Sequence, residues 1–191
     1  MRILLIRHGQ PHIALRPRTG HAGFADYIAA YEGAGLSPSS LPPEELRDMA
    51  RALDHVFTSG LPRSHQSAAL LAPQAQLIAD RLFVEAPLAA PVIPLLRMRV
   101  PKWAVLSRAL WYAGFHCGID DPNVTARRAA QAAGALIARA RRSGTAVLVA
   151  HGYFNWMIGR ELARRGFARR GRHQARYWNT VIYERPEDWQ K

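Results

Sequence analysis

Residues 1–10, MRILLIRHGQ, run from a short apolar stretch straight into Arg7-His8-Gly9, and residues 145–152, TAVLVAHG, run the same way into His151-Gly152. Both apolar runs are short, continuous rather than alternating, and rich in Ile, Leu and Val, which is the pattern of a strand buried on both faces. Strands of that kind belong to parallel sheets covered by helices, and such sheets bind ligands beyond the carboxyl ends of their strands. Two histidines delivered to that edge point to one shared site for an anion.

Working outward, strands alternate with helices. The spacing of Phe24, Tyr27, Ile28 and Tyr31 predicts a short helix over 24–32, and Pro42 and Pro43 open a second, with Leu46, Met49, Ala50 and Leu53 on one side. HVFTS (55–59) reads as a second buried strand, Pro62 starts a third helix through Leu71, and LIADRLF (77–83) contains a third strand. Four prolines (87, 91, 94 and 101) forbid a long regular element before Lys102, so 86–123 reads as an excursion from the sheet, an insertion or lid, holding one helix over about 103–115. An alanine-rich helix follows over 125–142, capped by Asn123 and stopped by Gly144. TAVLVA is the fourth strand, 153–165 a helix, and YWNTVIY (177–183) the last strand. This alternation predicts a three-layer α/β fold, and the length of 191 residues suits a single domain over 1–191.

A hydrophobic share of 49% with 21% charged residues is that of a globular protein, and no stretch is long enough to span a bilayer. The strand-like run directly after Met1 leaves no room for a secretory leader, so the expected location is the cytoplasm. Cys117 is the only cysteine and reads as a buried small hydrophobe. The net charge of +12 concentrates in Arg160, Arg164, Arg165, Arg169, Arg170, Arg172 and Arg176. That run carries no nucleic-acid motif, and it reads as a solvated face that helps attract phosphorylated substrates rather than as a nucleic-acid site.

Arg7, His8, Arg63, Glu85 and His151 each fall at a strand end or a helix start, where the loops of an α/β sheet converge. Phosphoryl transfer through a phosphohistidine would use them together. Neutral imidazole is a competent nucleophile near pH 7, which casts His8 as the attacking group. Arg7 and Arg63 supply planar forks for phosphate oxygens, with His151 as a further donor and the backbone N–H groups after Gly152 favouring negative charge. Glu85 would protonate the departing alkoxide and later take a proton from water. Gly9, Gln10, Gly152 and Tyr153 flank these groups and are expected to bind substrate, with Asn155 also near the pocket. The eight histidines form no ligand cluster, so no metal and no cofactor is expected, and no glycine-rich nucleotide loop is present.

Taken together, ILLIRHGQP, VFTSGLPRSHQSA, DRLFVE and VLVAHGYFNWMIGREL resemble the histidine phosphatase superfamily, also called the phosphoglycerate mutase-like family, over most of the chain. The resemblance implies a mostly parallel mixed sheet flanked by helices, a phosphohistidine at His8, phosphate binding by Arg7, Arg63 and His151, a proton donor at Glu85, and no metal. Pro11 and Ala14 replace residues that the mutase branch uses, and APLAAPVIPLL replaces the acidic, glycine- and tryptophan-containing stretch found after the acid in many members. A phosphomonoesterase of the histidine acid phosphatase type, acting on a small-molecule or protein phosphomonoester, is therefore preferred to a mutase-like phosphotransferase. A non-catalytic module that binds a phospholigand or nucleic acid is the alternative of another class. The resemblance also places specificity in the loop after His8 and in the insertion, where Arg16, Arg18, His21, Arg97, Arg99, Lys102 and Trp103 suggest a basic, partly aromatic rim for acidic substrates, although Trp103 shares an apolar helical stripe with Leu106, Leu110 and Trp111 and is read first as core.

Overall fold

The computed structural model describes residues 1–14 and 18–186. Arg2–Arg7 forms β1 and Thr145–Ala150 forms β4, paired in parallel with Arg7 opposite Ala150. His55–Thr58 (β2) lies parallel to β4 on its other side, and Gln76–Ala79 (β3) lies parallel to β2. Thr180–Glu184 (β6) runs antiparallel to β1, and Ala168–Arg170 (β5) runs antiparallel to β6. The described residues thus form a mixed, mostly parallel sheet in the order β3-β2-β4-β1-β6-β5.

Strand periodicity divides the core into two layers. Ile3, Leu5, Ala146 and Leu148 face one side. There they pack on Pro122–Ser143 (α5) and Gly152–Arg164 (α6), through Ala132, Leu136, Phe154 and Ile158. Leu4, Ile6, Val147 and Val149 face the other. There they meet Leu46 of Glu44–Ala50 (α2) and Ala68 and Leu71 of Pro62–Leu71 (α3). The expected three layers are present, and all parallel strands end at the same edge. The alanines of α5 let that helix lie close against the sheet, with Ala129, Ala132, Ala133 and Ala140 buried.

A smaller apolar cluster joins His21–Gly33 (α1) to Val100–Tyr112 (α4). The rings of Phe24 and Trp103 stack there at 5.6 Å, and the Trp103 indole N–H donates to Thr19 O at 2.8 Å. Trp103 is therefore core and not part of a rim.

Several boundaries differ from the sequence reading. The last strand starts at Thr180, because Trp178 has φ 60° and turns the chain. After β3, Arg81–Phe83 is a 3₁₀ turn whose Leu82 N–H donates to the Asp80 side chain at 2.8 Å. Pro101 sits in the first turn of α4, where it needs no N–H, so that helix starts earlier than expected. Asp121, not Asn123, caps α5, accepting from Asn123 N at 2.6 Å and Val124 N at 2.9 Å. Cys117 is exposed in a turn at φ 49° and is not the buried hydrophobe expected. The edge strand β5, sequence ARR, carries no apolar signal and has all its residues exposed. Within the arginine-rich run, Arg164 and Arg165 pair with Glu161, and Arg170 pairs with Glu184. No helix among the described residues is long and apolar enough to cross a membrane.

Candidate active site

Because Arg7 pairs with Ala150, the next residues along β1 and β4, His8 and His151, emerge side by side. Their ring centroids are 5.2 Å apart, and both residues are buried, at 1% and 0% exposure. The Nδ1–H of His8 donates to the Gly9 carbonyl at 2.7 Å. A carbonyl only accepts, so this bond places the proton on Nδ1 and leaves the Nε2 lone pair free. The Tyr31 hydroxyl stands 3.4 Å from that nitrogen. Burial pulls the His8 pKa down to about 3, opposed by the Gly9 bond and assisted by the charges of Arg63 and Arg7.

His151 is oriented from both sides. Its Nε2–H donates to Ser59 Oγ at 2.8 Å, and its Nδ1 faces Arg63 NH2 at 3.5 Å. Burial, then the nearby His8 and guanidinium groups, hold it well below the ordinary imidazole value. Arg63, 1% exposed at the start of α3, donates to the Tyr31 carbonyl at 2.6 Å and lies under the Tyr31 ring at 4.2 Å. Arg7 donates to the Ala175 carbonyl and lies against the Tyr177 ring at 4.7 Å. The Nε atoms of Arg7 and Arg63 are buried without a hydrogen-bond partner among the described residues. Buried donors of this kind carry a desolvation cost that an anionic ligand would offset.

Glu85 reaches the same place from the chain beyond the 3₁₀ turn. Its Oε1 accepts from Ala86 N at 2.9 Å and from Phe154 N, in the first turn of α6, at 2.8 Å. Its charge supports those of Arg63, Arg108 and Arg128. Arg7, Tyr31, Arg63, Glu85 and Tyr153 border a cleft of about 470 Å³; His8 and His151 are not in its lining and adjoin it through Tyr31 and Arg63, at 3.4 and 3.5 Å. Among the described residues no group of three or more His, Cys, Asp or Glu side chains is placed to hold a metal ion.

The flanking residues divide. Gly152 lets Arg7 cross, since a Cβ there would meet Arg7 Cδ at 3.2 Å. Gly9 is enclosed more tightly, with Leu36, Ser40 and Trp178 atoms at 2.6–2.7 Å from such a Cβ. Its N–H donates to Ser67 Oγ and that of Gln10 to Ser40 Oγ, so neither backbone donor faces the cleft. Gln10 itself is exposed and borders no part of the cleft. Asn155 is buried and ties α6 to β1, donating to the Ile6 carbonyl at 3.0 Å. Tyr153 does border the cleft, its hydroxyl paired with that of Tyr112.

No family model and no curated protein matches the chain. Solved structures do. An ecdysone phosphate phosphatase from Bombix mori, in complex with tungstate, superposes with TM-score 0.59 at 13% identity, covering 97% of this chain and 92% of that one. A phosphoserine phosphatase from Entamoeba histolytica gives 0.55 at 15% identity, covering 95% and 89%. A mycobacterial glucosyl-3-phosphoglycerate phosphatase with VO3 gives 0.53 at 19% identity, covering 85% and 80%. The chain has the histidine phosphatase fold.

Within this histidine phosphatase fold, sequence reasoning missed Tyr31, Tyr177, Ser59 and Arg108. Tyr27 and Tyr31 were visible as a helical pair, but that spacing alone does not separate a core face from a cleft wall. The basic rim is corrected. Arg18, Arg99 and Lys102 border a different hollow with Met98, and Trp103 is buried in the core. Arg16 lies outside the described residues.

Proposed function

We propose that the protein is a phosphatase of the histidine phosphatase superfamily that hydrolyses phosphomonoesters through a phosphohistidine at His8. The observation that carries this reading is the His8 ring itself, with Nδ1 tied to the Gly9 carbonyl, Nε2 unprotonated and met by the Tyr31 hydroxyl at 3.4 Å, and the ring 5.2 Å from that of His151. In the first step Nε2 bonds to phosphorus as the ester P–O bond breaks, and Glu85 in its acid form gives its proton to the departing oxygen. In the second, Glu85 takes a proton from water as the oxygen of that water displaces Nε2 from phosphorus. The products are an alcohol and inorganic phosphate, and both side chains return to their starting states. Arg7 and Arg63 hold the equatorial oxygens, where fixed donors matter most, joined by His151 once its Nε2–H exchanges Ser59 Oγ for the phosphoryl group. Tungstate and VO3, present in two structures of the same fold, are oxyanions of similar charge and shape to phosphate. The same reading treats 1–191 as one domain and 86–123 as its lid.

The test is release of phosphate from p-nitrophenyl phosphate with water as the only acceptor, with rapid quenching for acid-labile label on the protein. Turnover and label are both expected, and His8→Ala should lower turnover by about four orders of magnitude or more, as removal of a nucleophile does. Turnover that persists in His8→Ala, or that needs an added acceptor alcohol, overturns the proposal.

A further inference from the structure

Beyond the arginines and Glu85, much of the cleft lining is apolar. It includes Tyr27 and Ile28 of α1 and Leu88, Val100, Ala104 and Val105 of the insertion. Tyr27 and Tyr31 stack at 5.8 Å and form a continuous aromatic surface that leads down to the His8 ring. Val105 is 71% exposed, an apolar side chain left at the border of a cleft.

Besides Arg7 and Arg63, the charged residues bordering the cleft are Glu32, Glu85 and Arg108. Two are acidic. Arg108 is held in place, since its guanidinium lies 4.3 Å from the Tyr153 ring and 4.6 Å from that of Trp111. Its nitrogens donate to the carbonyls of Pro87 at 2.9 Å and Ala86 at 3.3 Å. Arg108 thereby ties α4 to the segment that carries Glu85. With Arg7 and Arg63 at the phosphoryl centre, the further cation that borders the cleft among the described residues is Arg108, already engaged by two carbonyls and two rings.

Resting on the phosphatase reading, we propose that the substrate is a monoester of an uncharged, apolar alcohol, aliphatic or aromatic, whose organic group lies along the lining that includes Tyr27, Leu88 and Val105. Phosphorylated acids and bisphosphates are disfavoured, because their second anion would meet Glu32 and apolar surface. Each methylene removed from water adds a roughly constant increment of binding free energy. For n-alkyl monophosphates from ethyl to octyl, kcat/KM should accordingly rise by up to about fourfold per methylene until the cleft is full. Phosphoserine and 3-phosphoglycerate should fall below ethyl phosphate. Val105→Glu, at an exposed position that tolerates a polar side chain, should flatten the alkyl series.

Phosphate release measured across that series gives one arm, and calorimetric binding of n-alkylphosphonates, which cannot be hydrolysed at phosphorus, gives the other. Rising slopes in both arms support the proposal. Turnover with a flat or falling slope, or with preference for phosphoserine, overturns it and leaves the phosphatase reading standing. Chain-length-dependent phosphonate binding without any turnover sinks the hydrolytic reading and supports the apolar cleft. Absence of both overturns both.

Discussion

The carboxylate of Glu85 accepts the backbone N–H of Phe154 at 2.8 Å, which pins an acid from beyond β3 onto the helix that starts at His151. Oε1 is engaged twice, by Ala86 N and Phe154 N, so the other oxygen is the one available to a leaving group. Glu85→Gln keeps an acceptor for both N–H groups and removes the transferable proton. Folding should be retained. Esters with poor leaving groups should slow by about 10²–10⁴-fold, within the range of general acid catalysis, whereas p-nitrophenyl phosphate should slow far less. Equal losses across leaving groups would reassign Glu85 to holding α6.

Tyr31 presents a hydroxyl to the nucleophilic nitrogen of His8 and a ring to Arg63. Tyr31→Phe separates the two, because it keeps the ring over the guanidinium. The hydroxyl donates to Nε2 in the free protein and is within reach of a phosphoryl oxygen once that nitrogen attacks. Its removal should lower kcat about three- to tenfold, the value of one neutral hydrogen bond, with KM little changed. A rise in kcat would show that the hydroxyl restrains the imidazole instead.

Gly9 holds the His8 ring through its own carbonyl and sits where a Cβ would meet Leu36, Ser40 and Trp178 at 2.6–2.7 Å. Gly9→Ala must push one of these aside, and overpacking of that kind costs about 1–3 kcal/mol. For a chain of this size each kcal/mol lowers Tm by roughly 2–4 °C. A drop of several degrees in a thermal melt, accompanied by loss of kcat, is expected. An unchanged Tm would show that the packing around Gly9 yields freely.

The parts of the site that the sequence displayed are those delivered by strand ends. An apolar run followed by Arg-His-Gly or His-Gly states where a strand stops, and parallel pairing of Arg7 with Ala150 then brings the histidines together. Arg63 and Glu85 were legible for a related reason, as polar residues that open a helix or follow an apolar run. Residues that approach the site sideways left no such mark. Tyr31 lies on α1, where a helical apolar stripe serves a core and a cleft equally well, and Tyr177 lies in a turn that reads as a strand until Trp178 takes a positive φ. The basic residues of the insertion were read as a rim because their charge is visible and their direction is not. In the structure Arg99 and Lys102, together with Arg18 from the loop after His8, border another hollow. β5 was hidden because an exposed edge strand needs no apolar period.

Burial of His8 as a neutral ring ties stability to acidity. Its pKa falls from about 6.5 to about 3 on folding, so between these values the unfolded chain binds more protons than the native one. Stability therefore rises with pH across that window and is lost as pH falls below about 6.5, by up to about 1.4 kcal/mol per pH unit for this one group. Burial shifts His151 and His173 in the same direction, and their contributions steepen the slope. The same shift leaves Nε2 unprotonated well below neutral pH, so the acid limb of kcat/KM should not fall at the ordinary imidazole pKa. Urea denaturation at pH 7, 6, 5 and 4 should show a midpoint that declines with acidification. In His8→Gln, which removes the titrating group, the decline should be shallower by the share of one proton. A slope identical in the two proteins would mean that the His8 ring is free to take up a proton in the folded state.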